Sequence, residues 1–89
     1  MYKVEITEAS LRTGYNHRID SYFEDEKDMI SHLKLFCDSR KIDRSKLRTR
    51  YNMLKRGTAE GIKLFWSPKP GYRMYVWINV YEEKRLGNS

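Results

Sequence analysis

The chain has 89 residues, a formal net charge of +6 and a single cysteine. This length allows one domain with one core, and a hydrophobic content of 39% is too high for a wholly disordered chain. The lone cysteine excludes an intramolecular disulfide and fits a reducing compartment. Charged residues are spread through residues 1–20, so we expect no apolar signal-peptide core there, and no apolar stretch has transmembrane length. We therefore expect a soluble, cytoplasmic protein.

Two early stretches alternate polar and apolar residues with the period of a β-strand. They are Tyr2–Glu8 and His17–Phe23, and the loop between them contains Gly14. Two such strands so close in sequence predict an antiparallel pair. The acidic segment 24–28 then opens a helix, because negative side chains stabilise the first turn. The helix ends over residues 38–40, and its apolar stripe comprises Met29, Ile30, Leu33, Phe36 and Cys37.

The charge of the chain is concentrated in its second half. Residues 1–39 carry five basic and eight acidic groups (−3), whereas residues 40–89 carry thirteen basic and four acidic groups (+9). Within Arg40–Arg56, eight basic residues accompany one acid, Asp43. Such a block usually meets phosphate or an acidic protein surface. The asymmetry therefore indicates a polyanionic partner.

The basic block fits two secondary structures. Alternation at Leu47, Thr49, Tyr51 and Met53 suits a strand, whereas Leu47, Tyr51 and Leu54 have helical spacing. Capping signals favour the helix: Asp43 is a good N-cap, Ile42 can pack on Leu47, and Gly57 stands where a C′ glycine belongs. We predict a second helix over Arg44–Arg56, with cations along both edges of a narrow apolar stripe.

Two further strands are predicted after the basic block. They are Ile62–Trp66 and Tyr72–Tyr81, separated by a loop with two prolines. The even positions of the last strand, from Tyr72 to Val80, form a core face. The order β-β-α-α-β-β predicts an α+β fold with an antiparallel sheet and helices on one face. We expect a single domain over residues 1–84 and a frayed tail over 85–89.

Aromatic and basic residues share the other face of the last two predicted strands. Flat rings stack on unpaired bases and cations hold phosphates, as a single-stranded nucleic-acid platform requires. The same rings would also suit a covered sheet or an oligomer interface. The candidate nucleic-acid-binding residues are Lys63, Phe65, Arg73, Tyr75, Trp77 and Tyr81 on the strands and Arg44, Lys46, Arg48, Arg50, Lys55 and Arg56 on the helix.

Catalytic and metal-binding patterns are weak. His17 beside Arg18 resembles the acid–base groups of small ribonucleases, but nothing in the spacing positions a catalytic pair with His17 or His32. One cysteine and two distant histidines do not supply closed zinc ligation. No glycine-rich phosphate loop is present. We expect no enzymatic activity, cofactor or metal, with a small ribonuclease as the minority alternative.

The segments RSKLRTRYNMLKR and YRMYVWINVY give the chain a resemblance to the small early proteins of T4-like bacteriophages. Among these it is similar in style to the RNA-associated inhibitor of a type III toxin–antitoxin endoribonuclease. The resemblance implies a phage protein in the host-cell cytoplasm that binds RNA and neutralises a host defence nuclease. It maps no functional residue.

The leading hypothesis from the sequence is therefore a non-enzymatic, RNA-binding protein. The alternative is a protein-directed inhibitor whose basic helix docks on an acidic partner, such as a toxin ribonuclease. The sequence leaves RNA, DNA and protein partners open, together with strand order and oligomeric state. We expect no membrane partner.

Overall fold

The computed structural model describes residues 1–10 and 12–82 as four strands and two helices in the predicted order. The strands are β1 (Tyr2–Ala9), β2 (Asn16–Phe23), β3 (Ile62–Trp66) and β4 (Met74–Glu82). The helices are α1 (Glu26–Ser39) and α2 (Leu47–Lys55). The chain thus has the predicted α+β fold. The tail predicted over residues 85–89 lies outside the described residues.

The four strands form one antiparallel sheet in the order β2-β1-β4-β3. The central strands are the first and the last along the chain, and their register pairs Tyr2 with Glu82. The outer pairings align Tyr2 with Phe23 and Ile62 with Ile78. The N-terminal hairpin was predicted from sequence. The insertion of β4 between β1 and β3 was not, because it depends on pairing across most of the chain.

The core lies between one face of the sheet and the two helices. Successive side chains of a strand point to opposite faces, and Val4, Ile6, Val76 and Ile78 on the inner face are all nearly inaccessible to water. The predicted α1 stripe is buried throughout, from Met29 to Cys37. Burying each large aliphatic side chain contributes about 1.5–3 kcal/mol, so this layer is the main source of stability.

Helix α1 begins at a side-chain cap that fits the acidic sequence before it. Asp25 has an extended backbone, and its Oδ1 accepts a hydrogen bond from the backbone N–H of Asp28 at 2.8 Å. Arg40 is the C-cap residue. Its Nη2 lies 2.6 Å from Oε1 of the buried Glu8, an ion pair by distance rather than an aligned hydrogen bond. The contact ties the end of α1 to the central strand β1.

Helix α2 is shorter than predicted and starts differently. It begins at Leu47 rather than Arg44, and its N-cap residue is Lys46, which makes no side-chain cap hydrogen bond. Asp43 is therefore not the N-cap: its Oδ1 accepts from the N–H of Ser45 at 2.9 Å and closes a turn before the helix. The C-terminal prediction is confirmed, because Gly57 adopts φ +75° and its N–H donates to the Leu54 carbonyl.

Strand β3 has the predicted bounds, whereas β4 begins two residues later than predicted. Tyr72 lies in the preceding loop, whose Ser67 hydroxyl donates to the Tyr72 carbonyl. Met74, Val76 and Ile78 face the core as expected. Among the residues described, neither helix is long and apolar enough to cross a bilayer.

Candidate nucleic-acid interface

The sheet has a face that neither helix covers, and it carries all four predicted aromatic candidates. We call this the open face. The pairing register places its side chains in rows across the strands. Phe65 is 44% exposed, Trp77 37% and Tyr81 47%, while Tyr75 is half-buried. Large apolar side chains exposed together are typical of interaction surfaces.

One end of the open face combines two rings with two cations. The Phe65 and Tyr75 rings lie opposite each other on β3 and β4, with centroids 5.0 Å apart in a T-shaped arrangement. The Lys63 Nζ lies 5.6 Å from the Phe65 centroid and 5.7 Å from that of Tyr75, and the Arg73 guanidinium lies 4.9 Å from the Phe65 centroid. These distances allow cation–π attraction, and both cations remain exposed.

The Trp77 ring is held in a fixed position on the open face. Its indole lies over Gly61, where a Cβ would stand 2.6 Å from two ring carbons. Oriented to satisfy both neighbours, the Asn79 amide accepts from Trp77 Nε1 at 2.9 Å and donates to the Glu60 carbonyl at 2.6 Å. A ring fixed before a ligand arrives loses little conformational freedom on binding.

The other half of the open face adds residues that the sequence reasoning missed. Tyr22 is exposed on β2, and Lys3 of β1 stands between Tyr22 and Tyr81 in one row. The Lys3 Nζ lies 6.0 Å from the Tyr22 ring centroid. Tyr22, and then Glu5, raise the pKa of Lys3. Alternation in β2 places Tyr22 on this face. Its position in the same row as Tyr81 depends on the registers of β2 and β4 against β1, which the sequence does not give.

The centre of this half is charged but internally balanced. Arg18 bridges two acids, with Nη2 2.8 Å from Glu5 Oε2 and Nε 2.9 Å from Asp20 Oδ1. The hydrogen bond from Arg18 lowers the pKa of Asp20. The carboxylates make this region a poor phosphate site, so the cationic part of the open face lies towards β3.

Some of the predicted helix cations are already paired with carboxylates, whereas others are exposed. Arg44 is paired with Asp38 at 2.8 Å, and the Lys55 Nζ lies 3.0 Å from Glu26 Oε2. Glu26 also accepts from the Tyr51 hydroxyl at 2.9 Å. Hydrogen bonds from Lys55, and then from Tyr51, lower the pKa of Glu26. Lys55 therefore helps to dock α2 on α1, and Arg44 ties the segment before α2 to α1. Exposed cations of the block also include Lys46, Arg48 and Arg56.

The helix cations and the open face lie on opposite sides of the sheet and meet at the β3 edge. Arg50 reaches this edge, where its Nη1 donates to the Lys63 carbonyl at 3.2 Å. A groove there is lined by two cations and one acid from the helix side (Lys46, Arg50 and Asp43) and by Lys63 and Phe65 from the strand. The β3 edge therefore brings Lys46 and Arg50 of the basic block beside Lys63 and Phe65 of the open face. Arg48 and Lys55 lie instead beside Glu26 of α1.

The candidate catalytic residues are not brought together. His17 and Arg18 are consecutive in β2, so their side chains point to opposite faces. The His32 ring lies 5.0 Å from Phe23, at the far end of β2 and about 20 Å along the strand from His17. Cys37 is buried, and burial raises the pKa of its thiol. Within residues 1–10 and 12–82, no three potential metal ligands cluster.

No protein-family model, no curated protein sequence and no solved structure matches this chain. Any assignment of function therefore rests on the surface chemistry of the open face and the β3 edge.

Proposed function

We propose that this protein is a non-enzymatic binder of single-stranded RNA whose unpaired bases stack on the open face of the sheet. The supporting observation is the group of exposed rings beside cations: Phe65 and Trp77 are accessible, and Lys63 and Arg73 lie within 6 Å of the Phe65 centroid. Base–aromatic stacking contributes about 1–3 kcal/mol per base and tolerates any sequence.

The phosphates of the bound strand would follow the β3 edge. Lys63 and Arg73 flank the rings, and Lys46 and Arg50 border the groove on the other side of the same strand. Arg44 and Lys55 contribute less, because each is already paired with a carboxylate. This divides the predicted cations into a contact group near β3 and a group that mainly supports α2.

Paired variants test the role of the rings. Phe65→Leu with Trp77→Leu keeps apolar side chains but removes the stacking surfaces, so affinity for a labelled unpaired RNA should fall about tenfold or more. Tyr15→Leu is the matched control, because Tyr15 is an exposed ring in the loop between β1 and β2. Fluorescence anisotropy measures both. Equal affinity in the paired variant and the control would rule out stacking on this face.

The cations are tested through the dependence of affinity on salt. Lys46→Ala with Arg50→Ala should weaken binding to unrelated RNAs alike and flatten the slope of log K against log salt by about 0.7 per lost phosphate contact. Arg44→Ala removes one charge already paired with Asp38 and should change the slope less. A slope unchanged in the double variant would remove this edge from the interface.

A second candidate function is inhibition of a protein partner through the helix side. Its specific support is that Arg48 on α2 and Arg56 at the C-cap of α2 are exposed cations, and that α2 packs on the side of the sheet opposite the rings. An acidic protein surface could dock there without using the open face. Taken with the resemblance to phage inhibitors, the partner would be a host ribonuclease. Purification from cells separates the two: co-purified nucleic acid supports RNA binding, and a stoichiometric protein partner without nucleic acid supports inhibition.

A further inference from the structure

The two edge strands of the sheet differ in whether a side chain bonds their outward main-chain groups. At the β3 edge, the Arg50 side chain donates a hydrogen bond to the outward Lys63 carbonyl. At the other edge stands β2, eight residues long and exposed over most of its length. Within residues 12–82, no side chain is found bonded to the outward main-chain groups of β2. An uncovered edge strand is a template for pairing with another strand.

The outward main-chain groups of β2 can be identified. Just beyond the strand ends, the Ser10 N–H donates to the Tyr15 carbonyl at 2.9 Å, so this position is a hydrogen-bonded pair of the β1–β2 ladder. Main-chain groups alternate in direction along a strand. The odd residues of β2 therefore bond β1, and the even residues face outward: Asn16, Arg18, Asp20 and Tyr22.

Charge selects how a second copy of β2 could pair with this edge. In an antiparallel pair of identical strands, even residues must oppose even residues. Centring the pair on residue 18 or residue 20 places identical charges opposite each other, which is destabilising. Centring it on Ile19 places Arg18 opposite Asp20 of the second copy, and two-fold symmetry repeats the contact. The sequence Arg-Ile-Asp is thus complementary to itself.

Ile19 itself supports this register. It lies on the helix side of the sheet but is 42% exposed, because α1 packs near the Phe23 end of β2. In the self-paired register, the two Ile19 residues form the close non-hydrogen-bonded pair, with Cα atoms about 4.5 Å apart. Pairing would bury an apolar side chain that the monomer leaves in water.

We propose that β2 pairs edge to edge with β2 of a second copy, about a two-fold axis at Ile19, to give a continuous eight-stranded sheet. The axis is perpendicular to the sheet, so both helix layers lie on one side and both open faces on the other. The proposal does not depend on RNA binding. Pairing through a single strand edge buries little surface, so the dimer should be weak, with a dissociation constant of about 100 µM.

Sedimentation equilibrium on charge variants tests the pairing. Asp20→Arg places like charges opposite each other twice and should weaken dimerisation about tenfold or more. The monomer should tolerate it, since Arg at this position would face Glu5 on β1. Arg18→Asp combined with Asp20→Arg exchanges the charges and should restore dimerisation. A wild-type protein still monomeric at about tenfold above the expected dissociation constant would overturn the proposal, as would an unaffected Asp20→Arg variant.

Cysteine cross-linking tests the register. Ile19→Cys places two thiols at the axis, where non-hydrogen-bonded strand pairs meet disulfide geometry, so mild oxidation should give a covalent dimer. Tyr22→Cys is the control, because the two copies of position 22 would lie about 20 Å apart. The native Cys37 is buried and should not react. Equal cross-linking of both variants, or none in Ile19→Cys, would overturn the register.

Discussion

The indole of Trp77 occupies the space in which a side chain at Gly61 would stand. Two ring carbons lie 2.6 Å from the position of a Cβ on Gly61, closer than real side chains approach. The ring therefore rests directly on the backbone before β3. A glycine covered by an aromatic ring from the neighbouring strand is a known way to fix register at a sheet edge. Here it also fixes the orientation of a proposed stacking ring.

Gly61→Ala should displace the Trp77 ring. The added methyl group cannot fit beneath the indole, so overpacking should cost about 1–3 kcal/mol of unfolding free energy and increase quenching of tryptophan fluorescence by acrylamide. Gly57→Ala is the control: its φ of +75° makes alanine strained, but no atom lies within 4 Å of the new methyl group. That variant should lose stability without a change in quenching. Unchanged quenching in Gly61→Ala would contradict the packing.

Tyr51 should be the main anchor of α2. Its ring is almost fully buried, so Tyr51→Ala should lower the free energy of unfolding by about 3–5 kcal/mol. Tyr51→Phe keeps the ring and loses only the hydrogen bond to Glu26, which should cost about 1 kcal/mol. Urea denaturation measures both. Similar small losses in the two variants would mean that the ring is not packed in the core.

Stability should fall in acid partly through Glu26. Folding lowers the pKa of this carboxyl below its ordinary 4.5, chiefly through the hydrogen bond from Lys55. A lowered pKa means that the contribution is present above pH 4.5 and is lost as the pH falls through the folded value. Because the side chain is over one-third exposed, the effect should be below about 1 kcal/mol.

Glu26→Gln should therefore flatten the acid side of the stability profile measured by thermal unfolding. Asp28→Asn is a suitable control on the same helix turn, since only its backbone N–H bonds the Asp25 cap. If both variants retained the wild-type profile, the contact between Glu26 and α2 would not contribute in solution.

Arg40 should contribute strongly to the stability of the fold, because its partner Glu8 is buried. Arg40→Leu would leave a carboxylate that is only 8% exposed without its cation, and breaking such a pair typically costs about 3–5 kcal/mol. Arg40 is itself partly exposed, so the lower end is expected. Adding Glu8→Gln should recover much of the loss, as a double-mutant cycle in urea would reveal. No recovery would indicate that Arg40 acts mainly through its contact with the Phe36 ring.

Local patterns predicted the elements of this fold well. The α1 stripe, the β3 bounds and the Gly57 helix end follow from spacing and backbone chemistry within a few residues. The predicted start of α2 was wrong, because the Asp43 carboxylate can accept a hydrogen bond in a turn or at a helix N-terminus. In the structure it accepts from the N–H of Ser45 in a turn. Propensity alone does not distinguish these neighbouring uses of one carboxylate.

The candidate site was less accessible to sequence reasoning. Alternation placed Phe65, Tyr75, Trp77 and Tyr81 on one face, but the side on which the helices pack is a tertiary property. The contact of Arg50 with Lys63, which joins the two predicted surfaces, depends on how α2 lies against β3. The ion pairs of Arg44 and Lys55 likewise reduce the free charge of the basic block in a way that residue counts do not show.

The central position of β4 has a consequence for folding. Strand β1 cannot gain its second neighbour until β4 arrives, and the partner of Tyr2 is Glu82, eighty residues away. Such distant pairing slows folding, because the chain loses conformational entropy in closing a long loop before the stabilising contacts form. On a ribosome, the sheet should remain incomplete until β4 has emerged. Before then, the first hairpin and α1 would expose the apolar surface that β3 and β4 later cover.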